Sequence, residues 1–480
     1  MKKNLFVSFL FLSILSFSQT KGDLDPGFNF TASGSNSVAR NIIVQNDGKI
    51  LVNGFINHSP SGKKNLFRLN QNGSIDTSFN LQSSFDYIGE VYSTAIQNDG
   101  KIIFGEKVVT TGTAKRFYRL NANGDLDTSF NNGTGFNDTP YCIKIQNDGK
   151  ILVGGDFTSY NGTTFNRLVR LNSSGTIDTS FNISNGFNGI VKAIEVQTDG
   201  KILVGGDFTT FNGTTKRALV RLNSDGSIDN YFYIGVGPDN DVNAINIQSD
   251  GKILIGGHFS TFNNTSYKNL VKLLSSGSID TSFNIGSGFI NQPTNISGDI
   301  SSRVNSIKIS GTNILVGGLF TSVNNVAKAN FVSLNSDGSI DSNFNIGTGF
   351  LGDFGDDANY TKPQIFALAV QNDAKVIATG NYKKYNGITK NYVARLLGNN
   401  VLAVKDLSKQ TLQIYPNPSS DYIYVKNFDS NKYEIFDALG RKIKSGNFQE
   451  KINIQNLTKG EYILKLAGKN KIYTHKIIKK

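Results

Sequence analysis

The chain has 480 residues, 49 of them Lys or Arg against 37 Asp or Glu, with 34 Phe, 18 Tyr, 50 Gly and no Trp. That much aromatic surface, at only 18% charged residues, excludes a disordered chain. A single cysteine, Cys142, and three histidines exclude a disulfide scaffold and a thiolate or multi-histidine metal centre, each of which needs several such side chains.

In chain order, Lys2 and Lys3 precede an apolar run from Leu5 to Phe17 and then the small or polar Ser18-Gln19-Thr20. A basic start, a short apolar stretch and a small residue before the cut read as a secretory signal peptide over residues 1–18. The run is shorter than the roughly 20 apolar residues a permanent span needs. No later stretch is longer, so no transmembrane segment is expected. Residues 401–480 hold fifteen Lys and Arg against seven acids, which leaves the larger body nearly neutral. A nucleic-acid binder carries a basic stripe on its working domain, so nucleic acid is not an expected partner.

Residues 20–400 repeat one unit of about 51 residues. Its Asp-Gly-Lys turn starts at Asp47, Asp99, Asp148, Asp199 and Asp250, followed by degenerate copies at Ser310-Gly311 and Asp373-Ala374-Lys375. The clearest unit begins with Val191–Gln197, whose apolar and polar residues alternate as in a half-buried strand. The Asp-Gly pair supplies the positive φ of a tight hairpin. Lys201–Phe208 follows with an unbroken Ile-Leu-Val-Gly-Gly run, the pattern of a strand buried on both faces. After a polar loop come Ala218–Asn223, a second Gly turn, and Ile228–Phe232. Four short antiparallel strands at a fixed period predict radial blades or a solenoid.

The two ends of the body decide between these. Leu24–Asn29 copies the fourth strand of a unit, and Tyr392–Leu396 copies a third strand with no fourth behind it. The opening segment therefore supplies the piece the last unit lacks, which predicts a seven-bladed β-propeller closed by its own N-terminal strand. A charge pattern makes the same point. Arg68/Asp76, Arg119/Asp127, Arg170/Asp178, Arg221/Asp229 and Lys272/Asp280 are each eight residues apart, while Ser333/Asp341 lacks the base. Asp25 and Arg395 are the leftovers and are expected to pair within one blade. The second slot after the Ile-Leu-Val run is Gly in six units and Glu106 in the seventh, read as close backbone approach near a crowded ring axis.

The elements Q-x-D-G-K-I-L-V-G-G-x-F and R-L-N-x-x-G-x-I-D-x-x-F-N resemble the delta-60 repeat family over roughly residues 24–397. The resemblance implies a propeller fold and no defined activity.

The period stops at Gly398-Asn399-Asn400, and residues 401–411 read as a linker. Residues 412–480 alternate in short strands split by Gly and Pro, the pattern of a small β-sandwich. Tyr415-Pro416-Asn417-Pro418, Asp437-Ala-Leu-Gly-Arg441, Leu457-Thr-Lys-Gly-Glu-Tyr462 and the basic end Lys476–Lys480 occur in order. Together they resemble the type A C-terminal sorting domain of the type IX secretion system of Bacteroidota. That resemblance implies an outer-membrane secretion machinery as partner of residues 412–480, followed by release or attachment at the cell surface.

Chemistry is thinly written. Between residues 24 and 400 only Glu90, Glu106 and Glu195 are glutamates, and Glu195 reads as a solvent-facing strand residue. No nucleophile–base pair stands out, so no catalytic residue is assigned. The Asn223–Asp229 and Asn335–Asp341 stretches hint at calcium but lack the spaced ligands and closing Glu of an EF-hand. A turn is the simpler reading, and no cofactor is expected, calcium being the alternative. The rhythm breaks at 286–303 and 347–363, and the second break carries Asp353, Asp356, Asp357 and Tyr360, an acidic and aromatic set suited to a cation or a sugar. The expectation is an exported binding module for a glycan or protein ligand. The alternative is a carbohydrate-active enzyme using the same rim.

Overall fold

The computed structural model describes residues 20–32, 37–58, 62–79, 81, 89–107, 117–291, 301–352, 362–398, 413–426, 432–438, 440–448, 450–467 and 472–480. The chain divides into two compact units, Met1–Val401 and Leu402–Lys480.

The first unit is an all-β propeller. Among its described residues, seven three-stranded antiparallel sheets follow one another, each with an inner, a middle and an outer strand. Their inner strands are Val38–Val44, Val91–Ile96, Pro140–Ile145, Val191–Val196, Val242–Ile247, Arg303–Ser310 and Ile365–Val370. Each inner strand touches the next, and that of the seventh sheet touches that of the first. Middle strands such as Ile202–Gly206 are buried at every position, because neighbouring sheets cover both of their faces. The two glycines ending such a strand serve different neighbours. A Cβ on Gly205 would lie 2.5 Å from Val242 Cγ1 of the next sheet, so this Gly lets adjacent sheets approach. A Cβ on Gly206 would lie 1.9 Å from Ile190 O of its own sheet. Its cause is therefore the local backbone of the sheet rather than crowding at an axis.

Two expectations change. The fourth strand shrinks to one bridge per unit, as in Leu222↔Ile228, because Asp229 turns the chain away. Asp229 Oδ1 accepts the Tyr231 N–H at 3.0 Å, and its carbonyl accepts that of Phe232 at 3.2 Å. The polar loop, in turn, contains a hairpin, Thr210–Phe211 with Thr214–Thr215, turned by Asn212 and Gly213 at positive φ. Phe211 is fully buried, with its ring 4.6 Å from Phe187 in the tail of the preceding unit.

A buried charge layer joins the sheets. Arg170 Nε lies 2.6 Å from Asp178, its guanidinium stands 4.5 Å above the Phe181 ring, and it donates to Ser224 O of the next sheet at 2.5 Å. Arg68, Arg119 and Arg221 repeat this arrangement with Ala122, Ser173 and Ser275. Lys272 reaches Ser336 O at 2.7 Å. The Lys of each Asp-Gly-Lys turn grips the same aspartate, as Lys150 does Asp178 at 3.0 Å. Burial alone would raise these carboxyls, but hydrogen bonds from Ser, Lys and Arg outweigh it and hold Asp76, Asp127 and Asp178 well below the ordinary carboxylate range.

The chain ends meet inside this layer. Arg395 Nε lies 2.8 Å from Asp25, stands 4.7 Å above Phe28 and donates to Gln71 O of the first sheet. Leu24 bridges Leu396; Gly22 N donates to Leu397 O at 2.9 Å and Leu397 N to Asp23 O at 2.8 Å. In the fourth sheet the same bonds link Gly226 to Asn223 and Asn223 to Ser227 within an uncut turn. The seventh sheet thus carries the same turn, interrupted. Where a sixth-sheet base would reach toward that interruption stands Ser333, which meets Asp341 at 3.3 Å.

The second unit has a three-stranded sheet, Gln413–Tyr415, Tyr422–Lys426 and Lys451–Asn453, and a four-stranded sheet formed by Lys442–Asn447, Lys432–Phe436, Gly460–Ala467 and Ile472–Lys479. Ile423, Ile435, Ile452, Ile454, Leu464 and Ile477 make its core. This is the sandwich expected from the alternating pattern.

Candidate functional site

Every inner strand carries a bulge within its first three residues, as between Val191 and Ala193. The extra residue leaves the ladder, so its side chain is re-aimed. In sheet order these residues are Arg40, Tyr92, Tyr141, Lys192, Asn243, Asn305 and Phe366, all half-buried. They sit where the inner strands begin and the middle strands end, at one mouth of the space the inner strands enclose.

One side of this mouth is aromatic and cationic. The Arg40 guanidinium lies 4.4 Å from the centre of the Phe366 ring and 4.9 Å from that of Tyr92, joining the seventh, first and second sheets. Its Nε donates to Glu90 Oε1 at 2.6 Å. Tyr92 meets Tyr141 edge-on at 5.0 Å. Burial pushes the Tyr92 phenol up to about 12, Arg40 opposing, so it stays a hydrogen-bond donor at neutral pH.

The other side is charged. Lys192 Nζ lies 2.5 Å from Asp241 and 3.7 Å from Asp207. Arg167 pairs with Asp156 at 2.7 Å. Burial pushes the Asp156 carboxyl up, Arg167 pulls it back, and Asp138 and Asp207 add to the rise. Deeper in, Lys144 and Glu195 of adjacent sheets pair at 2.5 Å, so Glu195 is an ion-pair partner as well as a half-exposed strand residue. Burial, reinforced by Glu195, pushes the Cys142 thiol up to about 12, so it is no nucleophile at neutral pH.

The positions singled out from sequence fare differently. Asp25 and Arg395 are brought together, 370 residues apart in the chain. Asp353, Asp356, Asp357 and Tyr360 lie outside the described residues. In the calcium-like stretches, Asp225 Oδ1 accepts from Ser227 N at 2.9 Å and Ser227 Oγ at 2.7 Å, and Asp337 does the same with Ser339. These are turn bonds. Among the described residues no group of three or more His, Cys, Asp or Glu side chains is placed to hold a metal. A cleft of about 620 Å³ opens between the third and fourth sheets at the Asp-Gly-Lys end, but its Lys150 and Arg170 are already engaged with Asp178.

The mouth residues escaped the reading of a single unit. Their signal appears only when the seven copies are laid side by side. Arg, Tyr, Tyr, Lys, Asn, Asn and Phe occupy one slot of an otherwise repetitive strand.

Six stretches, 45–79, 97–130, 146–181, 197–232, 248–283 and 313–344, match the family described as domain of unknown function (DUF5122) beta-propeller, and residues 413–480 match a secretion system C-terminal sorting domain. The unit completed by the two chain ends is outside the matched stretches. No curated protein matches the chain. Among solved structures, PorZ of Porphyromonas gingivalis, a surface component of the type IX secretion system, is similar at 10% identity and a TM-score of 0.45, over 94% of this chain and 60% of PorZ. The extracellular domain of BT4673 from B. thetaiotaomicron is similar at 10% identity and a TM-score of 0.43, over 96% of this chain and 59% of that one. A gluconolactonase of Xanthomonas campestris is similar at 10% identity and a TM-score of 0.32, over 60% of this chain and 95% of the enzyme. The chain thus spans about 60% of the length of the first two. The sorting domain implies a type IX secretion machinery as partner and secretion or surface attachment as destination. Among the described residues no helix is long and apolar enough to cross a membrane. The chain thus carries six stretches that match DUF5122 beta-propeller repeats, followed by a match to a secretion system C-terminal sorting domain.

Proposed function

We propose that the protein is an exported or cell-surface binding module whose propeller takes a glycan at the channel mouth. The observation that carries this reading is the Arg40 guanidinium held between the Tyr92 and Phe366 rings, across from Lys192 and its two aspartates. Aromatic faces stack on the C–H faces of sugars, while fixed charged and phenolic groups bind hydroxyls and set orientation. Removal of residues 1–18 during export belongs to the same proposal, and N-terminal sequencing of the exported protein tests it.

Hydrolysis is the second reading, and Asp156 is the side chain that favours it, since its carboxyl is raised as a general acid requires. Arg167 occupies that carboxyl at 2.7 Å and opposes the rise, so binding is the better conclusion. The test is a glycan array probed with the exported chain, alongside Tyr92→Ala and Phe366→Ala. Binding that both variants lose, with no sugar product released, supports the module. A blank array overturns it, and product release favours the enzyme.

A further inference from the structure

Below the mouth, the inner strands present a second layer of side chains, two residues before the Gln or Ser that opens each Asp-Gly turn. In sheet order it runs Ile43, Ala95, Lys144, Glu195, Asn246, Lys308 and Ala369. All occupy the same register, as in Lys144↔Leu152, Glu195↔Leu203 and Lys308↔Leu315. The seventh, first and second sheets give this layer apolar residues; the charges come from the third, fourth and sixth. Lys144 and Glu195 neutralise one another at 2.5 Å. Lys308 comes from a sheet that is not adjacent to either but holds the same register, so the three groups belong to one layer of the enclosed space. Burial holds the Lys308 ammonium below the usual lysine range, Glu195 opposes this, and Lys144 adds to it. Lys308 is nonetheless open to solvent, and among the described residues no hydrogen bond or ion pair reaches its Nζ. A ringed cation without a counter-ion is a site for an anion.

We propose that this layer is an anion subsite, in which Lys308 and Lys144 take the carboxylate of an acidic sugar, a uronate. Two ammoniums and one carboxylate leave a single positive charge, which matches a monovalent carboxylate better than a dianion. The sugar part rests on the glycan reading of the mouth; the charge part rests on this layer alone.

The experiment is calorimetric titration of the full exported chain with glucuronate, glucose and acetate, repeated on Lys308→Gln, Lys308→Arg and Tyr92→Ala. Glucuronate should bind about tenfold or more tighter than glucose, Lys308→Gln should remove that preference, and Lys308→Arg should keep it, as expected for a charged hydrogen bond. Equal binding of glucuronate and glucose, or an unchanged preference in Lys308→Gln, overturns the subsite. If Tyr92→Ala leaves the Lys308-dependent binding of glucuronate and acetate intact and alike, the subsite stands while the sugar-binding mouth falls. If Tyr92→Ala abolishes binding of glucose and glucuronate alike and Lys308→Gln changes neither, the mouth stands and the subsite falls.

Discussion

Two layers of the same seven sheets follow opposite rules. In the charge layer between sheets, nearly every unit repeats one solution: Asp, Arg or Lys, a turn Lys, and a Phe beneath the cation. In the layers the inner strands present, no such uniformity exists; at the bulge, Arg40, Tyr92, Lys192 and Phe366 occupy equivalent places. Side chains that hold sheets together must fit a joint that recurs, so they recur. Side chains that face the enclosed space answer to whatever enters it, and need not resemble their neighbours. Stability and recognition are therefore separable here by layer.

The largest test removes residues 20–29, the only part of the charge layer supplied by another end of the chain. Without Asp25, Phe28 and the Leu24 bridge, the seventh sheet is left with an open edge and Arg395 without its carboxylate. The truncated body should lose its cooperative melt and aggregate; a melt like that of the intact chain would refute closure.

Acid should come next, because it strikes several units of that layer at once. Asp76, Asp127 and Asp178 hold folded carboxyls below their unfolded value of 3.8, so the stability they contribute is complete above that pH. As pH falls through and beneath 3.8, the unfolded chain takes up protons first and this stability is progressively lost. Melting temperature against pH should decline there, with no matching change near neutrality.

A single joint tests less. Arg170→Ala removes the buried base beside Asp178, which keeps Lys150 and Ser180, and should cost about 1–3 kcal/mol in chemical denaturation. Lys144→Gln in the channel layer, where both partners are partly exposed, should cost only about 0–1 kcal/mol while altering binding. Smallest of all should be Ser333→Arg. It places a base beside Asp341, but the turn it would grip is the interrupted one, so a gain under about 1 kcal/mol is expected.

How much could be read beforehand follows the same division. Alternation in Val191–Gln197 and the Asp-Gly pairs made the strands legible, and the displaced copy Leu24–Asn29 made closure legible, because both are statements about repetition. The bulge was not legible. Val-Lys-Ala-Ile-Glu-Val is ordinary alternation in one copy, and nothing in it marks Lys192 as the extra residue. Nor was the early end of the fourth strand, since Ile228-Asp229 reads as strand until the carboxylate folds back on Tyr231 N. The Thr210–Thr215 hairpin was obscured by its threonines, which signal a loop as readily as an edge pair. The mouth demanded comparison across units, and the acidic insert chosen from sequence lies outside the described residues.

The interrupted turn also bears on the order of assembly. Six sheets can form from contiguous stretches, but the seventh pairs Asp25 with a residue 370 positions later. In any process that delivers the chain from one end, the leading strap must stay unpaired until the far side of the body arrives. Completion of the circle is then a late, slow, long-range event. The molecule stays vulnerable to joining a neighbour's strap instead of its own for as long as that wait lasts.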